Sequence, residues 1–286
     1  MKTTRIIPRL DIKGPNLVKG IHLEGLRVLG KPEKFACYYY ESGADELIYM
    51  DAVASLYGRN SLADVIKKTS KEIFIPLTVG GGLRTLEDIR TVLRAGADKV
   101  SINTAAIKRP ELIKEASKKF GSSTILVSIE AIRRMDGSYE AYTDNGREST
   151  GLDVFEWALR VVELGVGEIM ITSIDREGTG KGFDLELTKK IAESVPVPVI
   201  ACGGAGTIRH IYDVIAGGSA DAVSIASILH YNFVKQDKVE DDFSMEGNIE
   251  YLKSKRGFSP IKHASVSEIK EYLKQYGIEC RYPMRV

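Results

Sequence analysis

Along this chain, short apolar runs of strand length alternate with longer stretches whose apolar positions recur every three or four residues. The strand-like runs cover 5–12, 46–51, 75–79, 99–102, 124–130, 168–173, 197–201 and 222–225. Amphipathic helical patterns occupy 62–71, 85–95, 111–120, 154–164, 185–194 and 208–216. Eight strands, each followed by a helical segment, predict βα units with parallel pairing. An open doubly wound sheet and a closed (β/α)8 TIM barrel would both alternate in this way.

A repeat favours the barrel. Pro76-Leu-Thr-Val-Gly-Gly-Gly-Leu-Arg-Thr85 returns, 122 residues later, as Pro198-Val-Ile-Ala-Cys-Gly-Gly-Ala-Gly-Thr207. Ala95-Gly-Ala-Asp-Lys-Val-Ser-Ile102 returns as Gly218-Ser-Ala-Asp-Ala-Val-Ser-Ile225. That spacing is close to half of the ~250 residues of a typical (β/α)8 barrel. It predicts two (βα)4 halves related by a pseudo-twofold axis, with the motif on the third and fourth strands and again on the seventh and eighth. The charged segment 231–264 fits no βα unit and reads as an insertion before a last helix at 267–276, capped by Ser265 or Ser267. The expected organisation is one barrel domain over 1–286.

Composition narrows the function classes. The 286 residues carry a net charge of +1, so no global field points to nucleic acid or to a membrane surface, and any anion site must be local. Cys37, Cys202 and Cys280 form neither a metal-ligand pattern nor an even set for disulfides. No metal or cofactor is expected. No leader is legible and no apolar run approaches the ~20 residues of a membrane span, so the expected location is the cytoplasm.

Three groups of residues carry candidate chemistry. Glycines ending the third and seventh strands, Gly81 and Gly82 in one half and Gly203 and Gly204 in the other, let the backbone approach an anion without Cβ interference. The helices that follow would aim N–H groups at it. Asn103, Thr104 and Ser224 add side-chain donors at equivalent places. Two such sites across one mouth imply a long substrate with a phosphate at each end. Asp11 and Glu130 close the first and fifth strands and should face each other there, a pairing suited to acid–base work if their surroundings separate their pKa values. Asp51 closes the second strand and Asp175 lies just past the sixth, and each serves either to organise a loop or to touch substrate. At the opposite ends, Arg5, Glu46, Lys99 and Glu168 would form a ring of alternating charge. Buried charges must be paired, so a closed ring of salt bridges is expected, most simply as a stabilised barrel floor.

Taken together, the stretches 5–11, 17–20, 51–55, 78–82, 97–106, 172–176 and 203–206 resemble HisF, the family of cyclase subunits of imidazole glycerol phosphate synthase. The resemblance covers nearly all of the chain outside 231–264. It implies a lyase of histidine biosynthesis, working as the ammonia-using half of a glutamine amidotransferase with a HisH-like glutaminase as heterodimeric partner. Ammonia would enter at the floor, with Arg5, Glu46, Lys99 and Glu168 as a gate. It would then react with a bis-phosphorylated ribulosyl formimino-aminoimidazole carboxamide ribotide to give imidazole glycerol phosphate and an aminoimidazole carboxamide ribotide. Asp11 and Glu130 match the catalytic positions, Lys19 a lysine of a mobile loop over the substrate, and Asp98 a position facing the glutaminase.

The chain departs from the family pattern where Glu130 replaces an aspartate, Glu177 opens an Asp-Gly-Thr motif, Arg9 replaces a small interior cysteine, and a loop runs over 55–61. These departures resemble a WbuZ-like branch, in which an ammonia-channelling barrel would serve a sugar amidotransferase without cyclising anything itself. A third reading is the related barrel isomerase of the same pathway. The 97–106 motif and the complete charge ring argue against it.

Overall fold

On a barrel strand, side chains of one parity fill the interior and those of the other meet the surrounding helices. Strand β1 (Arg5–Lys13) follows this rule: Ile6, Leu10 and Ile12 join the large core under the helices, while Ile7 joins a second cluster inside the barrel. The computed structural model describes residues 3–52, 54, 62–236 and 261–282. In chain order the further strands are β2 (Asn16–Ile21), β3 (Glu24–Gly30), β4 (Leu47–Asp51), β5 (Leu77–Gly80), β6 (Lys99–Ile102) and β7 (Ile125–Arg133). They continue with β8 (Tyr139–Thr143), β9 (Glu148–Asp153), β10 (Glu168–Ser173), β11 (Val199–Cys202) and β12 (Ala222–Ile225).

Eight of these strands close a parallel barrel in the order β1, β4, β5, β6, β7, β10, β11, β12 and back to β1. The (β/α)8 TIM barrel expected from the alternation is the fold. The interior cluster contains Ile7, Ile48, Met50, Leu126, Met170, Ile200, Cys202 and Ala222. Because both faces are buried, most barrel strands read as continuous apolar runs.

The helices around them are α1 (Pro32–Glu41), α2 (Ala63–Thr69), α3 (Leu86–Ala95), α4 (Thr104–Lys108), α5 (Glu111–Phe120), α6 (Val154–Glu163), α7 (Leu185–Ser194), α8 (Ile208–Ala216), α9 (Ser227–Gln236) and α10 (Val266–Gln275). The repeat is visible in their caps. Thr85 caps α3 and Thr207 caps α8, each accepting a backbone N–H from three residues on. Ser265 caps α10 through a capping box with Glu268. Among the described residues no helix is long and apolar enough to cross a membrane.

Sequence patterning did not foresee two antiparallel hairpins at the mouth. β2 and β3 extend from β1, and β8 and β9 extend from β7. Both tips carry two consecutive non-glycine residues at positive φ, His22 and Leu23 in one and Asp144 and Asn145 in the other, the torsions of a primed hairpin turn. Each hairpin leans on a loop three barrel strands away. His22 bonds the carbonyls of Glu177 and Ile174, and Asn145 bonds the carbonyl of Ala52.

The C-terminal boundary also differs from the expectation. Residues 231–236 complete α9, and Ile261 and Ala264 are buried against the barrel, with the Ala264 N–H donated to Ile228 O. The rest of the expected insertion, 237–260, lies outside the described residues, as does the loop at 55–61. Helix α10 is anchored by Lys270, a fully buried ammonium that donates to Asp45 at 2.7 Å and to the Arg281 carbonyl.

Candidate active site

The C-terminal ends of the barrel strands hold two cavities. The larger, about 890 Å3 and open to solvent, is lined by Asp51, Gly81, Gly82, Asn103, Thr104 and Glu130 among others. The smaller, about 300 Å3, is lined by Arg9, Glu177, Gly178, Gly203, Gly204, Ser224 and Ser227. The two glycine blocks therefore fall in different cavities, one in each half-barrel, as the repeat predicted. Only glycine fits at Gly81: its φ is +95°, and a Cβ there would lie 2.5 Å from the Asp51 carbonyl oxygen. Gly204 is similarly confined, at φ +108° and 2.2 Å from the Gly182 carbonyl oxygen.

The donors differ in detail from the expectation. The N–H groups leading into α3 do not face the cavity freely, because Asp88 accepts from both Arg84 N and Thr85 N. Asn103 stands at the N-cap of α4 without a capping bond, and its Oδ1 lacks a hydrogen-bond partner, as does Ser224 Oγ in the smaller cavity. Unpartnered buried polar atoms lining a cavity are what a polar ligand would satisfy. Arg84, Lys108 and Arg109 add cationic groups to the larger cavity and were not singled out from the sequence. The helical pattern read at 85–95 begins just after Arg84, and α4 is too short for its periodicity to register.

Glu130 and Asp11 occupy contrasting environments. Glu130 is buried and lines the larger cavity, where its Oε2 accepts from Gly146 N of the second hairpin at 2.9 Å. Burial pushes its carboxyl up to about 7, against the opposing effects of Arg9, the Gly146 N–H and Asn103. Burial would also raise Asp11, but Arg9 and Lys19 outweigh it and hold this carboxyl below the ordinary range. Near neutral pH the mouth therefore carries one carboxylate firmly ionised and one close to half-protonated, the separation that acid–base work requires.

Asp11 lines neither cavity. Arg9 Nε donates to its Oδ1 at 2.8 Å, and Arg9 Nη1 reaches Cys202 Sγ at 3.4 Å. Lys19, expected on a mobile loop, instead lies on β2. It is almost fully buried and ion-paired with Glu177. Asp175 also lies outside both cavities. Its carboxylate is turned to Arg133 N at the root of the second hairpin, 2.9 Å away, so it organises a loop.

At the barrel floor the four expected charges meet in a closed ring. Arg5 pairs with Glu46 at 2.7 Å and with Glu168, and Lys99 pairs with Glu46 at 2.9 Å and Glu168 at 3.3 Å. Each carboxylate thus faces one guanidinium and one ammonium. Burial alone would lower the Arg5 pKa, but Glu168 and Glu46 raise it above its ordinary value. Nearby, Asp98 is exposed, with Oδ2 accepting from Leu77 N at 2.8 Å. Asp221 does the same for Val199 N in the other half, so this carboxylate has a structural duty that the repeat preserves.

A closed barrel with a glycine-lined cavity in each half and two buried carboxylates near its mouth defines a class of (β/α)8 proteins built from two half-barrels. The family model for histidine biosynthesis proteins matches residues 5–235. Three relatives are named imidazole glycerol phosphate synthase subunit HisF. The protein from Legionella pneumophila is 58% identical over 209 residues, 73% of this chain and 99% of its own length. That from Alkaliphilus metalliredigens is 48% identical over 250 residues, 86% of this chain and 99% of its own. That from a Synechococcus strain is 47% identical over 251 residues, 86% and 98%. The chain belongs to the HisF family. None of the three is named for sugar amidation, so they lend no support to the WbuZ-like branch or to a sugar amidotransferase as partner.

Proposed function

We propose that this chain is the cyclase subunit of an imidazole glycerol phosphate synthase. In this reading it uses ammonia to convert a bis-phosphorylated ribulosyl formimino-aminoimidazole carboxamide ribotide into imidazole glycerol phosphate and aminoimidazole carboxamide ribotide. The observation that carries it is the pair of oppositely tuned carboxylates: Glu130 in the larger glycine-lined cavity, and Asp11 bonded to Arg9, which lines the smaller one. One phosphate sits against Gly81, Gly82, Asn103 and Thr104, with Asp51 beside it. The other sits against Gly203, Gly204 and Ser224. Asp11 accepts a proton as the imidazole ring forms, and Glu130, near its midpoint at neutral pH, returns one.

The partner is a HisH-like glutaminase seated on the floor face. That face presents Phe74, 80% exposed and 6.1 Å from the Tyr40 ring, beside the exposed Asp98. A large exposed aromatic rimmed by polar groups suits a protein interface. Ammonia released there meets the ring of Arg5, Glu46, Lys99 and Glu168, which acts as a gate into the barrel. The subunit wording of the relatives' names agrees with a complex of this kind.

The test is ammonia-driven turnover of the bis-phosphorylated ribotide by the isolated protein, beside Asp11→Asn and Glu130→Asp. Wild type is expected to turn over, and Asp11→Asn to lose activity while remaining folded, with a lowered melting temperature because the buried Arg9 loses its carboxylate partner. A wild type without turnover would overturn the reading, and an active Asp11→Asn would remove the role given to Asp11.

A further inference from the structure

Arg9 occupies a place that neither the phosphate sites nor the carboxylate pair explains. It projects from β1 between Ile7, in the apolar cluster of the barrel interior, and Asp11 at the mouth, and it is 4% exposed. Residues two apart on a strand share a face, so Arg9 and Asp11 stand one above the other. The guanidinium holds Asp11 Oδ1 through Nε, leans on Cys202 of β11 through Nη1, and lines the smaller cavity from beneath. The two cavities share no lining residue, and Asp11, fixed by this contact, lies in neither.

A buried guanidinium is costly unless it is paired and bonded. Here it is tied to a carboxylate whose direction matters to the chemistry. We infer that Arg9 is a positioning residue for Asp11: its guanidinium, braced on Cys202, fixes where the Asp11 carboxylate points. The inference rests on the reading of Asp11 as an acid–base group.

The other groups around the pair are Glu130 from β7, whose carboxyl Arg9 also holds down, Lys19 from β2, Glu177 from the loop after β10, and His230 from α9. Lys19 and His230 act on Asp11, and Glu177 and Cys202 act on Arg9. His230 is neutral at working pH, since burial, reinforced by Lys19, brings it down to about 3. Removing Arg9 would leave Asp11 with Lys19 as its nearest cation, and Lys19 is already shared with Glu177. Burial would then raise the Asp11 pKa, so the ionised carboxylate would be lost at a higher pH than in the wild type.

The experiment compares kcat, KM and the pH profile of ammonia-driven turnover in wild type, Arg9→Met, Arg9→Lys and Asp11→Asn. Arg9→Met has similar length and no charge. It is expected to lower kcat by about 100-fold with little change in KM, since a shift of about 1 Å in a catalytic group costs that much. Its acidic limb should move to higher pH. Arg9→Lys keeps the charge but not the fork, so kcat should fall by about 10-fold with the limb in place. Wild-type kcat in either variant would overturn the inference.

Ribotide binding in the Asp11→Asn background separates positioning from phosphate contact, and also serves if Arg9→Met alone fails to fold, because no buried carboxylate is then orphaned. Adding Arg9→Met there should leave the ribotide Kd unchanged. A marked weakening would make Arg9 a phosphate ligand instead and overturn the inference. Asp11→Asn turning over like the wild type would show, with Arg9 untouched, that the underlying reading of Asp11 had failed.

Discussion

Glu130 is one methylene longer than the aspartate that the family resemblance leads one to expect, and burial makes that extra length matter for stability as well as for catalysis. A carboxyl raised to about 7 in the folded state holds a proton that the unfolded chain has already released. Its contribution is therefore complete below the unfolded pKa, falls as pH rises from about 4.5 to about 7, and is lost above that. Glu130→Gln should remove this decline, leaving the variant more stable than wild type at pH 8 by up to about 3 kcal/mol and similar to it at pH 4. Denaturant titrations of both proteins at the two pH values would show it, and parallel pH dependence in the two would refute it. At this scale the sequence told a good deal. Asp11, Glu130 and the four ring charges were placed by strand position alone, because period-two alternation fixes which side chains face inward. The Arg9–Asp11 pair was available by the same rule, two residues apart on one strand. Lys19 and Glu177, 158 residues apart in sequence, could not be paired that way, because only the folded hairpin brings them together.

The hairpins are the elements that the periodicity missed. Barrel strands are buried on both faces and announce themselves as apolar runs. β9 is largely exposed, and β3 is buried only toward its end. The readable signal was the Asp144-Asn145-Gly146 turn with alternating residues on either side, a short-range hairpin cue. The first hairpin had no such cue, since its tip puts His22 and Leu23 at positive φ. What secures it is tertiary: the buried Lys19–Glu177 pair and the two bonds made by His22. Burial would lower the Lys19 pKa, but Glu177 and Asp11 keep it above its ordinary value, so this amine stays charged. Glu177→Gln should then strand a buried ammonium, at a cost of about 3 kcal/mol. Amide exchange should quicken across β2 and β3 while the barrel strands keep their protection. Unchanged exchange in the hairpin would mean that His22 alone holds it.

For the molecule as a whole, the floor ring and the repeat matter most. The ring satisfies two carboxylates with two cations, so deleting one member unbalances the other three. Arg5→Met should destabilise the fold by somewhat less than the ~3–5 kcal/mol of a fully buried pair, because the Arg5 side chain keeps 24% of its exposure. Combining it with Glu168→Gln should recover part of the loss in urea denaturation, and strict additivity would argue against a coupled ring.

The repeat also gives the chain a seam. Between α5 and β7 only Gly121 and a single turn of 3-10 helix, Ser122–Thr124, connect one half-barrel to the next. Each half alone would expose two raw sheet edges, β1 and β6 in the first and β7 and β12 in the second, and unpaired edges recruit other strands. Cut at Gly121, the two fragments should be insoluble when made separately and reassemble when produced together. The connection at Gly121 would then be dispensable for the folded barrel, and the information for joining the halves would reside in the edges themselves. A protein of this design could have begun as two copies of one shorter chain meeting edge to edge, with a later fusion fixing the order in which they meet.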